Sequence, residues 1–419
     1  MGRMSLKSSD SGTGAFKITW EAYAAAALSC LILFTACGKP APQWQAAIEE
    51  VDGVAVVNNP SEPLNPDLQI MFEEDLTIGI EEGDENYMLG GSILLNTDDE
   101  GNFYVSDVEI NKVKVYDTNG RFIQTIGGPG QGPGEFQDIS KAGFDGEGNI
   151  YLNDVQSQRI SLLSKDGRYL RGIRPPTLFE RVLMTSQGSY IARAVDNVEL
   201  GQGKRWDYFY GLFDADFNLM AEFLRQPREA NANNKSIGSL AQLLADFMSD
   251  VAFVPVVDYS LDKNDILYFG YPVERYEIKA YSALDGSLVR VIQRDFEPSE
   301  IDSRDKRYFE RTQREQLRSK MPAGQEKEVF ELVQYPKYKP PYEGFTLMEN
   351  GWIFVLVDSV GDESALVDIF SQRGVYLAQI EIDIATDELT FNNGYAYAVA
   401  TVDDYKFVKR YALEIVGSD

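Results

Sequence analysis

GNFYVSDVEINKVKVYDTNGRFIQTIG, residues 101–127, and GNIYLNDVQSQRISLLSKDGRYLRGI, residues 148–173, align without a gap. Three runs recur in each: FYV and IYL, KVKVYD and RISLLS, RFIQTI and RYLRGI. Alternating apolar and polar residues put every second side chain on one face, the mark of a half-buried strand. Asn119-Gly120 and Asp166-Gly167 separate the second run from the third, and such pairs supply the positive φ of tight hairpin turns.

Looser copies of this unit start with GSYIARA at 188, NDILYFG at 264, GWIFVLV at 351 and GYAYAVA at 394. Each copy has an apolar run upstream, such as Lys141–Asp145 or Phe345–Met348, which makes four strands per unit. Six four-stranded units at a period of about 40–50 residues predict an all-β, six-bladed β-propeller. The last copy runs out near Val416, before its fourth strand. A strand from the N-terminal side, around Leu76–Ile80, is expected to complete that blade and remove the free sheet edges.

Two spacings between copies are nearly doubled, and the excess predicts two helical insertions, at about 224–250 and 298–335. In the first, SLAQLLADFM (239–248) places Leu240, Leu243, Leu244, Phe247 and Met248 on one helical face, with Ser239 and Gln242 as a capping box. In the second, residues 301–320 hold seven Lys or Arg against four Asp or Glu, a basic island on an acidic chain.

The stretch GGPGQGPGEF, residues 127–136, lies between the two best copies. A phosphate-binding P-loop needs Gly-Lys-Ser/Thr leading into a helix, whereas here Gly134 precedes Glu135-Phe136 and then strands. The reading is an inter-blade connection with Phe136 wedged into the core. Asp98–Asn102 and Asp145–Asn149 carry carboxylates beside glycine but lack the length and distant Glu of an EF-hand. They read as hairpin turns, with calcium or magnesium the alternative. Asp107 and Asp154 follow equivalent strands and are read as turn organisers through backbone amides, with a metal at the axis as the weaker reading.

These motifs, above all GEGNIYLNDVQSQRISLLSKDGRYL and the GPGQGPGEF before it, resemble the NHL-type six-bladed propellers. The resemblance is closest to the lipoprotein group common in Bacteroidota. It implies the fold and a cell-envelope setting, and it names no activity, since one propeller scaffold hosts many functions.

The N-terminus agrees with that setting. Residues 1–21 are polar with Arg3, Lys7 and Lys17, and AYAAAALSCLILFTAC (22–37) follows. A basic region, a short apolar run and small residues make a secretory signal. Phe34-Thr35-Ala36-Cys37 resembles a lipobox, so residues 1–36 are expected to be removed and Cys37 lipidated, with Met1 or Met4 as the start. Residues 37–66 read as a tether and 67–419 as the propeller.

With 39 Lys and Arg against 66 Asp and Glu, the net charge is −27, which argues against nucleic acid as a partner. The 419 residues include no histidine, so His-dependent triads and His-based zinc sites are absent. Aromatic and basic residues gather in three stretches read as loops: Arg205 and Trp206; Tyr271 and Arg275; Tyr338 and Tyr342. Such residues suit stacking on sugars or gripping acidic groups. The expectation is therefore a monomeric, lipid-anchored envelope module on the outer membrane facing the periplasm, with surface exposure as the alternative. It binds a glycan, peptide or partner protein and needs no cofactor. A calcium-dependent lactonase- or lyase-like enzyme is the alternative, and a non-binding scaffold the third.

Overall fold

The computed structural model describes residues 46–200, 203–228, 239–318, 326–360, 364–384, 388–403 and 405–417. Among them, 26 strands form six sheets, a six-bladed β-propeller. The chain enters through β1 (Ala47–Val51) and β2 (Val54–Asn59), then β3 (Gln69–Ile78). Blade 1 is β4 (Ile93–Thr97), β5 (Phe103–Asp107), β6 (Lys112–Tyr116) and β7 (Phe122–Ile126). Blade 2 is β8 (Ile139–Phe144), β9 (Ile150–Asp154), β10 (Arg159–Leu163) and β11 (Tyr169–Ile173). Blade 3 is β12 (Phe179–Met184), β13 (Tyr190–Leu200), β14 (Gly203–Phe213) and β15 (Leu219–Arg228).

Helix α1 (Leu240–Val251) precedes blade 4, which is β16 (Asp258–Leu261), β17 (Ile266–Gly270), β18 (Tyr276–Ser282) and β19 (Leu288–Arg294). Helices α2 (Ser303–Arg318) and α3 (Glu326–Leu332) precede blade 5: β20 (Gly344–Leu347), β21 (Ile353–Val360), β22 (Ser364–Phe370) and β23 (Tyr376–Ile382). Blade 6 is β24 (Glu388–Asn392), β25 (Tyr395–Val402) and β26 (Tyr405–Val416), with β3 as its fourth strand. The expected closure is thus present, with Val408 paired to Ile78 and Val416 to Gln69. The first strands β4, β8 and β12 touch in turn, as do β16, β20 and β24, and together they surround the axis.

The core lies in the seams between blades. Phe103 of blade 1 meets Tyr397 of blade 6 edge-on at 5.4 Å, and Tyr210 of blade 3 meets Phe269 of blade 4 at 5.6 Å. Middle strands such as β9 and β10 are buried along their whole length, because a neighbouring blade covers each face. The outer strand β7 alternates instead.

The N-terminal segment corrects the tether boundary. Within 37–66, β1 and β2 form a hairpin about Asp52-Gly53, at φ +52° and +80°, and β2 adds in parallel to the outer edge of β19. Both central residues at positive φ are what a type I′ turn demands. Asn59, 2% exposed, donates to the carbonyls of Gln293 and Gly374 and accepts from the Tyr376 amide. Leu64 and Asn65 amides then donate to the Tyr376 and Leu377 carbonyls of β23. Residues 54–78 therefore run as a belt along the outer edges of blades 4, 5 and 6.

Candidate functional site

In a four-strand meander, the turn after the second strand shares an end with the links that leave the fourth strand and enter the next blade. Both helical insertions are such links, so they stand at the same end. They extend from Arg228 to Asp258 and from Arg294 to Gly344, since β15 carries the chain past the expected boundary at 224.

The two insertions share one core. Ala241, Ala245, Met248 and Ala252 from the first pack with Phe309, Leu317, Val329, Phe330 and Val333 from the second. This buried face differs from the expected one: Leu240, Leu243 and Phe247 point outward, while Met248 is buried and Leu244 partly so. The small side chains let α1 approach its neighbours closely, so the alanine face is the one that packs. Ser239 caps α1 by accepting from the Gln242 amide at 3.2 Å, but the Gln242 side chain turns to Asp246, leaving half a capping box. Asp302 and Asp305 cap α2 reciprocally, each accepting from the other's amide. Lys339, nearly buried, pairs with Asp305 at 2.7 Å and with Asp358 of blade 5 at 2.8 Å, which fastens the cap to the propeller.

The glycine-rich stretch also lies at this capped end, as a connection. Phe136 is fully buried, and its amide donates to the Gly128 carbonyl while its own carbonyl accepts from Gly130. Burying that ring contributes roughly 2–3 kcal/mol. Gly127 sits at φ +77°, where an added Cβ would meet the Phe136 ring at 2.6 Å. Glu135 accepts from the Gly132 amide, and Arg159 reaches across to the carbonyls of Gln131 and Glu135.

The acidic motifs are spent on the backbone. Asp98 accepts from the Glu100 and Asn102 amides, Asp145 from Glu147 and Asn149, and Asp214 and Asp262 repeat the pattern. Asp107 accepts from Gly90 at 3.0 Å and Ile110 at 3.4 Å. Asp154 accepts from Gln137, Asp138 and Ser157 at 2.9, 3.2 and 3.0 Å. Both are buried, in the turn-organising role. Among the described residues no three Asp, Glu or Cys side chains gather as metal ligands.

Cys37 and the segment 1–36 lie outside the described residues. Of the ligand candidates, Arg205 and Trp206 are in β14 rather than a loop, with Trp206 paired to Asn197 and Arg228 near the capped end. Tyr342 is a correction: it is 0% exposed, donates to the Glu277 carbonyl and stands 5.1 Å from Tyr276, so it packs the seam between blades 4 and 5. Tyr271 is half-buried against the seam of blades 3 and 4. Tyr338 is 42% exposed and accepts from Lys337.

Arg275 is exposed and lines a pocket of about 310 Å³ with Asn58, Glu274, Tyr276, Arg294 and Phe296. The floor is a buried network that the sequence does not announce. Asp368 accepts from Tyr276 at 2.7 Å, Arg294 at 2.7 Å, Tyr376 at 3.0 Å and Gln379 at 2.9 Å. Burial raises the Asp368 pKa, with the Arg294 charge and these donors opposing the rise. Arg294 lies over the Tyr376 ring at 4.4 Å, and its Nε is buried without a partner. Tyr376 and Gln379 share blade 5 with Asp368, but Tyr276 and Arg294 come from blade 4, 92 and 74 positions away, so closure of the seam completes the network.

Fold and site together define a six-bladed β-propeller capped at one end. A family model described as "6-bladed beta-propeller" matches residues 78–268. Among solved structures, a Bacteroides fragilis protein described as exported superposes with a TM-score of 0.52 at 11% identity, covering 86% of this chain and 99% of its own. A duf4221 family member from Bacteroides vulgatus gives 0.49 at 8% identity, covering 83% and 99%. Virginiamycin B lyase from Staphylococcus aureus gives 0.41 at 8% identity, covering 83% and 100%. No curated protein matches the chain.

Proposed function

We propose that this protein is a binding module of the cell envelope, anchored by a lipid on Cys37 at the outer membrane and facing the periplasm. It takes a glycan or a peptide segment of a partner protein at its capped end. The observation that carries the reading is the pocket where Arg275 and Tyr276 meet Asn58 and Arg294 beside the cap. The exposed Arg275 guanidinium, the Asn58 amide and the partly exposed Phe296 ring suit a polar ligand with an apolar face, held over the largely buried Arg294–Asp368 floor, and loops on a rigid scaffold are where such recognition resides. The commitment of Asp107 and Asp154 to backbone amides favours recognition over carboxylate or calcium catalysis.

The test is titration calorimetry of the mature protein against panels of envelope glycans and short peptides, with Arg275→Ala alongside. A ligand that binds the parent and loses about tenfold or more in affinity with Arg275→Ala supports the reading. Binding that is indifferent to Arg275, or no binding in either panel, would overturn it.

A further inference from the structure

The end of the propeller at which the chain arrives is fixed by strand direction. β2 runs parallel to β19, and β19 ends at the cap. β1 runs antiparallel to β2, so it begins at the capped end, with Ala46 just before it. Nine peptide units separate Cys37 from Ala46, and fully extended they span about 30 Å. A lipid on Cys37 would therefore tether the body from its capped end.

An independent feature at the same end suits that neighbour. On α1, Leu240, Leu243, Phe247 and Val251 are 51%, 61%, 49% and 44% exposed. Their spacing of three, four and four residues makes one stripe about three turns long. Elsewhere in the same cap, whose insertions share one core, α2 exposes Arg304, Arg307 and Arg311 on a protein of net charge −27, while α3, which packs on α1, exposes Glu328 and Glu331. α1 has no basic residue of its own, so the exposed apolar stripe supplies the insertion and the arginines of α2 the attraction to anionic lipid.

We infer that the capped end rests on the membrane, with the α1 stripe at the headgroup boundary and the α2 arginines against anionic headgroups. The inference rests on the anchored reading of Cys37 and deepens it. The ligand pocket then opens at the lipid surface, which selects partners that are themselves membrane-bound.

The test uses the full chain, processed and lipidated, in vesicles of phosphatidylethanolamine and phosphatidylglycerol. An environment-sensitive fluorophore is placed by Leu243→Cys on the cap or by Glu147→Cys on a turn at the opposite end. Quenching by doxyl-labelled lipid is expected to be several-fold greater at 243, and to fall when Leu240→Glu and Val251→Glu are added. Equal quenching at the two positions, or more at 147, would overturn the contact. Mass spectrometry of the same sample reports the lipid on Cys37, so a lipidated protein with equal quenching sinks the contact alone. An unlipidated protein without quenching sinks both.

Discussion

The ammonium of Lys339 lies 2.7 Å from a carboxylate oxygen of Asp305, joining the second insertion's return segment to the first turn of α2. Asp358 of β21 approaches the same nitrogen at 2.8 Å. Truncating one partner of a buried ion pair leaves the other charge uncompensated, at roughly 3–5 kcal/mol. Lys339→Ala should therefore loosen the cap before the ring. The check is limited proteolysis, with new cleavage between residues 295 and 343 while the blade fragments persist. Cleavage first within the blades would contradict this role.

Asp368 is the common acceptor of two tyrosines, an arginine and a glutamine. Asp368→Ala strands four donors in the seam of blades 4 and 5, and a loss of about 3 kcal/mol or more is expected in urea unfolding. Asp368→Asn keeps the shape and should lose less. Near-equal effects of the two would show that volume, not hydrogen bonding, matters there.

Gly127 and Gly128 are adjacent and should respond differently. Gly127→Ala forces a Cβ into the Phe136 ring at a positive φ, a loss of about 2 kcal/mol or more. Gly128 has open space around its missing Cβ, so Gly128→Ala should change stability by less than about 1 kcal/mol. Melting temperatures of the pair decide the matter.

On the alkaline side stability should fall. Burial pushes the phenols of Tyr104, Tyr335 and Tyr397 up to about 12. In an unfolded chain these groups ionise near pH 10. Above that value the unfolded chain has released protons that the folded chain retains, so stability falls as pH rises. Lys339 acts in the same direction: burial alone would lower its pKa, but Asp305 and Asp358 raise it overall, so its ion pairs persist below its ordinary pKa and are lost above the raised one. With no histidine, stability should be nearly flat from about pH 6 to 9. Melting temperature against pH, with tyrosinate absorbance, tests both arms.

Asn59 should matter more than its place outside the repeats suggests. Asn59→Ala removes two donated bonds and one accepted bond from a buried position, and a loss of about 2–3 kcal/mol is expected. Hydrogen exchange should rise first along residues 54–65. Exchange confined to blade 6 would count against the belt.

What was legible in the sequence followed local periodicity. Alternation and Asn-Gly or Asp-Gly turns placed the blades, and the missing fourth strand at Val416 pointed to β3. The same rule marks Asp52-Gly53 between AIEEV and VAVVNN, a hairpin hidden by the Pro- and Asn-rich residues around it. The face of α1 was misread because leucines outweigh alanines on any apolar scale, whereas close helix packing favours the smaller residues. Tyr342 lay in a polar, aromatic stretch whose burial depends on a neighbouring blade. Arg294 and Asp368 have no sequence signal, since their pairing is made by ring geometry alone.

The belt also sets an order of events. β3 is made early, yet its partner β26 is the last strand of the chain, more than 300 residues downstream. A chain that emerges N-terminus first must hold β3 unpaired until residues 405–416 appear, so ring closure is the last step of assembly. The contacts that finish the fold are the least local ones, which makes closure slow. A chain delivered N-terminus first thus stays open until β26 has appeared.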